Sequence, residues 1–285
     1  MITIEEFLQA SPEEVAKIAP QTVMWGAGGT RRDIVLNNIS LEDIPQMALF
    51  SMNRLADTAE ILFKLGVRNI LVITVHSRQL VEKGKYRDYI IKGTKYAIGE
   101  CLYPHYKRLN CRAHLVGHKE VPELTDIAAE LEAKTADNGQ NNIWWLASVS
   151  YESVWEKTIA AAQGAKNQAE VIRNYYGADL PPAELFLSYG KPFIEPEILP
   201  LPLIAETHCY WYQRPGYRLT EQEVRTIFYD HAYLRNTWIP DKMARYAEVD
   251  GQRDIWSRND IIGLGQRFGS FWYPLPEGVH CAEES

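Results

Sequence analysis

The residues of this chain best placed to do chemistry are two arginines behind a glycine cluster. Gly26, Gly28 and Gly29 run into Thr30, Arg31 and Arg32. Glycines let backbone N–H groups converge on an anion. Paired guanidinium groups add rigid forks that match phosphate oxygens. Gly28, Gly29, Thr30, Arg31 and Arg32 are therefore the candidate phosphate- or diphosphate-binding residues. The loop is not a Walker A motif, because no Gly-Lys-Ser/Thr follows, and arginine stands where the dinucleotide fingerprint needs its last glycine. A tight turn carrying two surface arginines is the alternative reading.

Such a loop needs a strand in front of it and a sheet to hold it. Residues 21–25 read as that strand, and Ile70-Leu71-Val72-Ile73-Thr74-Val75 is a β-branched run expected to be buried on both faces. Further strands are expected at 112–117, 143–149, 184–189 and, as the last one, 208–212. Between them apolar residues recur at helical spacing over 44–65, 85–103, 124–136 and 152–176, with Gly164 as a break. Met47, Leu49, Phe50, Leu55, Ala59, Leu62 and Phe63 mark the first of these helices, and Gly66 ends it. Thr220 with Glu223 forms a capping box for a helix through 236. Four prolines make 192–202 an irregular loop. The alternation predicts an α/β fold: one domain over 1–285, with a central, mostly parallel sheet surrounded by helices. Ligands of such sheets bind at the carboxyl ends of the strands, where the glycine loop lies.

Composition narrows the function. The chain has 285 residues, 46% apolar and 24% charged, with net charge −7. That is a soluble globular mix, and its acidity speaks against nucleic acid as a partner. No apolar run is long enough to span a membrane, and no secretory signal is expected at the amino terminus. Cys101, Cys111, Cys209 and Cys281 have no metal or redox spacing, so reduced thiols and a cytoplasmic location are expected. Aromatic residues are abundant, with 8 Trp, 16 Tyr and 8 Phe. Core packing accounts for most of them, and a pocket for a cationic intermediate would account for the excess. Trp144 and Trp145 must point to opposite faces of their strand.

The chain resembles the cis-prenyltransferases, and within that superfamily the diterpene synthases of the mycobacterial tuberculosinol type. The resemblance rests on Gly29-Thr30-Arg31-Arg32, Leu65-Gly66-Val67, Val171-Ile172-Arg173-Asn174-Tyr175-Tyr176-Gly177, Leu185-Phe186-Leu187-Ser188-Tyr189-Gly190-Lys191 and Phe228-Tyr229-Asp230-His231-Ala232-Tyr233-Leu234-Arg235, and it covers nearly the whole chain. It implies an undecaprenyl diphosphate synthase-like sheet around an apolar tunnel. Arg31 and Arg32 would hold the diphosphate of a prenyl substrate whose tail fills the tunnel. It also implies a homodimer, and transient membrane contact through lipid substrate or product. Loss of diphosphate would leave a carbocation, stabilised by aromatic walls and quenched by water or base.

The sequence departs from the family at its acids. The aspartate expected before Gly29, which holds Mg²⁺ or assists departure of the diphosphate, is Gly28, so the need for Mg²⁺ is open. Paired aspartates expected after the second strand are absent from His76-Ser77-Arg78-Gln79, and a helix tyrosine is replaced by Met47. The stretch Ser188 to Pro192 keeps little of the motif for a second diphosphate, which speaks against chain elongation. Candidate substitutes for the missing acid are His76 at a strand end and Arg78 as a charge beside the leaving group. Glu206 and His208 share one strand face; Glu206 is the candidate metal ligand, and His208 a candidate catalytic residue. Asp33 is expected to point away from the loop, and Asp230 with His231, Tyr229 and Arg235 to form a packing network. The leading expectation is a terpene synthase that removes diphosphate from a linear or bicyclic prenyl diphosphate and yields an alcohol or alkene. The alternatives are a non-catalytic prenyl-lipid-binding or partner subunit, and a chain-elongating cis-prenyltransferase.

Overall fold

The computed structural model describes residues 2–26, 28–81, 85–237, 252–257, 262–269 and 271–274. Six strands form one parallel sheet: β1 (Thr22–Gly26), β2 (Asn69–Val75), β3 (Cys111–Val116), β4 (Asn141–Ala147), β5 (Ala183–Tyr189) and β6 (Ile204–Tyr212). Their order across the sheet is β3-β4-β2-β1-β5-β6. All five pairings are parallel, so every strand ends at the same edge, where the glycine loop is.

Alternation along the strands sorts the core into two faces. Trp25, Val72, Trp145 and Leu187 lie in register and join the larger apolar cluster; Met24, Leu71, Trp144 and Phe186 join the smaller one. The larger face is covered by α4 (Ile44–Lys64), α6 (Lys85–Tyr96), α7 (Tyr103–Arg108), α8 (Thr125–Thr135) and α11 (Glu221–Tyr229), and by residues of the short amino-terminal helices α1 (Ile4–Gln9) and α2 (Pro12–Val15). α10 (Gln168–Tyr176) packs in the smaller cluster, with α9 (Tyr151–Ala162) against it. Each fully buried Leu, Ile or Val contributes roughly 1.5–3 kcal/mol through burial alone.

α4 shows how the sequence sets its own ends. Asp43 caps it by accepting the Gln46 N–H at 3.0 Å. Gly66 follows it at φ 109°, where a Cβ would sit 2.7 Å from Ala16 Cα. Leu55, Ala59, Leu62 and Phe63 are buried as the spacing predicts, but Leu49 is exposed. Two π turns, Ala97–Cys101 and Asp230–Leu234, follow α6 and α11.

The expectation that 208–212 is the last strand is corrected. β6 is longer, and β7 (Gly265–Phe268) pairs with β8 (Phe271–Pro274) as an antiparallel hairpin. Strands of four residues are too short to show a period, so the sequence pattern did not reveal them. No helix among the described residues is long and apolar enough to cross a membrane.

Candidate active site

β1 delivers the chain into a turn that only glycine can make. Gly29 has φ 73°, and a Cβ there would lie 2.7 Å from Tyr189 Cε1 and 2.9 Å from Pro215 Cβ. Thr30 then opens α3 (Thr30–Leu36), whose first N–H groups have no acceptor in their own helix. Arg31 donates to Tyr86 Oη at 2.5 Å, and the Arg32 guanidinium lies 4.9 Å over the Tyr189 ring. Gly28 differs from Gly29: a Cβ there would meet only Tyr189 Cδ1 at 3.4 Å, an ordinary contact. The missing carboxylate at 28 is thus a property of the sequence and no steric need of the fold. Asp33 turns away, as expected, and accepts from Arg54 at 2.7 Å and from Asn37 at 3.1 Å.

An apolar groove of about 180 Å³ runs from this loop into the larger face. That exceeds the ~150 Å³ of a cavity able to take a benzene ring. Thr30, Thr74 and Gln79 lie at its carboxyl-edge end; Ile98 and Trp145 lie at its buried end. Met47 lines it from α4, Tyr89 from α6, and Tyr217 from the loop before α11. The buried Trp145 indole N–H donates to Tyr106 Oη at 2.9 Å, and Tyr106 donates to the Ile98 carbonyl at 2.8 Å. This chain satisfies both polar groups and fixes the ring that faces the groove. Trp144 goes to the other face and stacks on His114 at 3.9 Å.

His76 and Arg78 meet two residues that the sequence reading missed. His76 caps the short helix α5 (Ser77–Leu80) at the end of β2, with Nδ1 accepting the Arg78 N–H at 3.2 Å. Its Nε2 lies 2.5 Å from Glu195 and 3.2 Å from Glu197. Glu195 also accepts from Tyr151 and, at 3.1 Å, from Arg78. Glu197 is fully buried and accepts from the Ser77 N–H, the Ser77 hydroxyl and the Ser148 hydroxyl. Burial raises the Glu195 carboxyl, but hydrogen bonds from Tyr151 and His76 and the charge of Arg78 outweigh it, leaving the group below its usual range. Arg78 is shifted up, chiefly by Tyr151 and by the Glu195 charge. The only sequence signal was two glutamates flanking Pro196 in a loop with no period. Arg78 also borders an open hollow of about 380 Å³ with Lys191, Phe193 and Trp272.

Glu206 and His208 are not brought to the glycine loop. His208 pairs with Leu185, three residues before Trp211, which aligns through Ser188 with Gly26. That is about 10 Å short of the strand ends. Its Nδ1 lies 2.8 Å from His231 Nδ1, and its Nε2 lies 3.9 Å from Glu206, whose side chain is 91% exposed. Burial, His208 and Arg235 lower the His231 pKa. Asp230, in the π turn after α11, accepts from Tyr210 at 2.5 Å and from Arg235 at 2.7 Å; of the expected network only Arg235 joins it, since Tyr229 donates to the Ile2 carbonyl and His231 pairs with His208.

The chain was compared with known proteins. No family model matches it. It is 35% identical over 281 residues to the (+)-kolavelool synthase of Herpetosiphon aurantiacus, covering 97% of each protein. It is 26% identical over 297 aligned positions to the tuberculosinyl adenosine transferase of Mycobacterium tuberculosis, covering 96% of this chain and 98% of that one. Among solved structures it is similar to lavandulyl diphosphate synthase from Lavandula x intermedia, in complex with dimethylallyl diphosphate (TM-score 0.61, 10% identity), over 76% of this chain and 97% of that one. It is also similar to a probable undecaprenyl diphosphate synthase from Campylobacter jejuni (TM-score 0.56, 14% identity), with the same coverage.

Proposed function

The chain belongs to the terpene synthases built on the cis-prenyltransferase fold, and from that premise we propose that it ionises a linear or bicyclic diterpenyl diphosphate at the mouth of its apolar groove. The observation that carries this reading is the paired Arg31 and Arg32 at the carboxyl edge, where a groove walled by Met47, Tyr89 and Trp145 begins. The two guanidinium groups and the first amides of α3 would bind the diphosphate. Charge-assisted bonds of this kind contribute roughly 1.5–3 kcal/mol each. Tail burial would add about 25 cal/mol per Å².

As the C–O bond breaks, its electron pair leaves with the diphosphate. The arginines, which contact Tyr86 and Tyr189 in this structure, would turn to that growing charge and stabilise it. The allylic cation left behind faces Trp145 and Tyr89, whose ring faces attract positive charge. The scarcity of groups for a second diphosphate around Ser188 to Pro192 favours this reading over chain elongation.

Prenyl diphosphate enzymes of this fold commonly use Mg²⁺. Gly28 offers it no carboxylate here. Among the described residues His76, Glu195 and Glu197 are a trio whose ligand atoms converge within 4.8 Å. His76 Nδ1 accepts the Arg78 N–H, so Nε2 carries the proton and donates it toward the carboxylates. A ring so committed does not fit as a metal ligand. The proposal extends to a homodimer in the cytoplasm with transient membrane contact; sedimentation at working concentration and cell fractionation test these parts.

The experiment is incubation with linear and bicyclic C15–C20 diphosphates, with Mg²⁺ and with EDTA, followed by mass spectrometry. Terpene products formed without isopentenyl diphosphate are expected. Products that appear only when isopentenyl diphosphate is added, each longer than its substrate, would overturn the proposal.

A further inference from the structure

Ionisation leaves a cation, and the wall that meets it selects the product. Among the described residues lining the groove there is no carboxylate, imidazole, ammonium or guanidinium. None of these side chains takes a proton at neutral pH. The polar atoms on this wall are hydroxyls, the satisfied indole N–H of Trp145, and one carboxamide, that of Gln79.

The orientation of that carboxamide is set by its neighbours. Gln79 Oε1 accepts the His76 N–H at 2.9 Å, completing the reciprocal cap of α5. With the oxygen committed, the amide presents Nε2, which only donates, on its other side. His76 is itself held at both ring nitrogens, by the Arg78 N–H at 3.2 Å and by Glu195 at 2.5 Å. Gln79 is therefore a fixed donor at the carboxyl-edge end of the groove, on the same stretch of wall as Thr30 and Thr74.

We propose that Gln79 seats the water that captures the cation, so that the product is an alcohol. This rests on the ionisation reading above. The Gln79 N–H donates to one lone pair of the water, and the Thr30 and Thr74 hydroxyls accept its hydrogens. The other lone pair forms the new C–O bond. One threonine hydroxyl takes the oxonium proton as its own proton passes to an oxygen of the released diphosphate, which Arg31 and Arg32 hold beside the site. Diterpenyl diphosphate and water thus become a diterpenol and hydrogen diphosphate. Without a seated water, a C–H bond next to the cation breaks instead, its electrons form the alkene, and the diphosphate again takes the proton.

The test compares wild type, Gln79→Leu and Gln79→Glu by product ratio, with substrate consumption and melting temperature alongside. Q79E keeps an oxygen to cap His76 and so preserves the local fold, but its carboxylate can itself take the cation's proton, so Q79L reports the lost donor and Q79E controls for the cap. The wild type is expected to give mainly alcohol, carrying the label when the reaction runs in ¹⁸O-water. Both variants are expected to shift the alcohol-to-alkene ratio about tenfold or more toward alkene, while consumption falls less. A purely structural role would lower consumption and leave the ratio alone. An unchanged ratio in both variants, a hydrocarbon as the only wild-type product, or an alcohol without the label overturns the proposal. A wild type that consumes none of the diphosphates overturns the ionisation reading itself.

Discussion

Two parts of the carboxyl edge, joined through α5, are built on opposite electrostatic plans. Around the end of β2, His76, Arg78, Glu195, Glu197 and Tyr151 form a dense, saturated network of charges and hydrogen bonds. The groove beside it carries no carboxylate, imidazole, ammonium or guanidinium among its described lining residues. The difference teaches where charge is useful in this chemistry. A carboxylate facing a cation would trap it or take its proton, whereas the same carboxylate turned outward can fix loops and helix caps. The charged cluster therefore shapes the neutral one, through His76 and Gln79, without touching the hydrocarbon.

The comparison breaks most completely if the anion end is removed. Arg31→Ala with Arg32→Ala is expected to lower kcat/KM about a thousandfold, the equivalent of ~4 kcal/mol of lost charge-assisted bonding. Steady-state rates with a diterpenyl diphosphate measure it, and a loss under about tenfold would remove the arginines from the site.

Distorting the loop while keeping its charges should cost less. Gly29→Ala forces a side chain into the left-handed region against Tyr189 and Pro215. A loss of about a hundredfold in kcat/KM is expected, with a lower melting temperature. Gly28→Ala is the control, because its Cβ meets only an ordinary contact and its rate should stay close to wild type.

On the neutral side, Trp145→Leu removes the ring facing the groove and is expected to reduce kcat about tenfold. Trp145→Phe keeps an aromatic face but leaves Tyr106 without its donor; it should cost about 1 kcal/mol in stability and spare most of the rate. Equal rate losses in the two variants would argue against cation stabilisation by the ring.

The smallest effect is a pH dependence of the charged side. The Glu195 carboxyl is lowered in the folded protein, so its stabilising share is present above the ordinary glutamate value and lost as pH falls through the folded value. Melting curves of wild type and Glu195→Gln should therefore differ near neutrality and converge as pH falls through the lowered folded value. Curves that stay parallel down to acid would show that the clamp does not depend on the carboxylate.

Much of this arrangement was legible in the chain itself. The run from Ile70 to Val75 announces a strand buried on both faces, and the glycine cluster announces the tight turn at Gly29 that opens α3. Thr220 and Glu223 cap their helix as written. What escaped was assembled over long separations. Glu195 lies 119 residues from His76, in a loop whose prolines suppress any period, so nothing local ties the two together. Alternation separates Trp144 from Trp145, but only the covering helices decide which ring faces a groove. Met47 reads as one more core residue of α4 until α6 and Trp145 are placed opposite it. The pairing of Glu206 with His208 was legible, but its distance from the loop depends on strand register, which single strands do not encode.

A crystal structure with a slowly hydrolysed diterpenyl thiodiphosphate tests the central claim most directly. The account predicts head-group oxygens about 3 Å from Arg31, Arg32 and the first amides of α3, with the tail running past Met47 toward Trp145. A head group seated instead in the hollow between Arg78 and Lys191, with the groove left free, would contradict it.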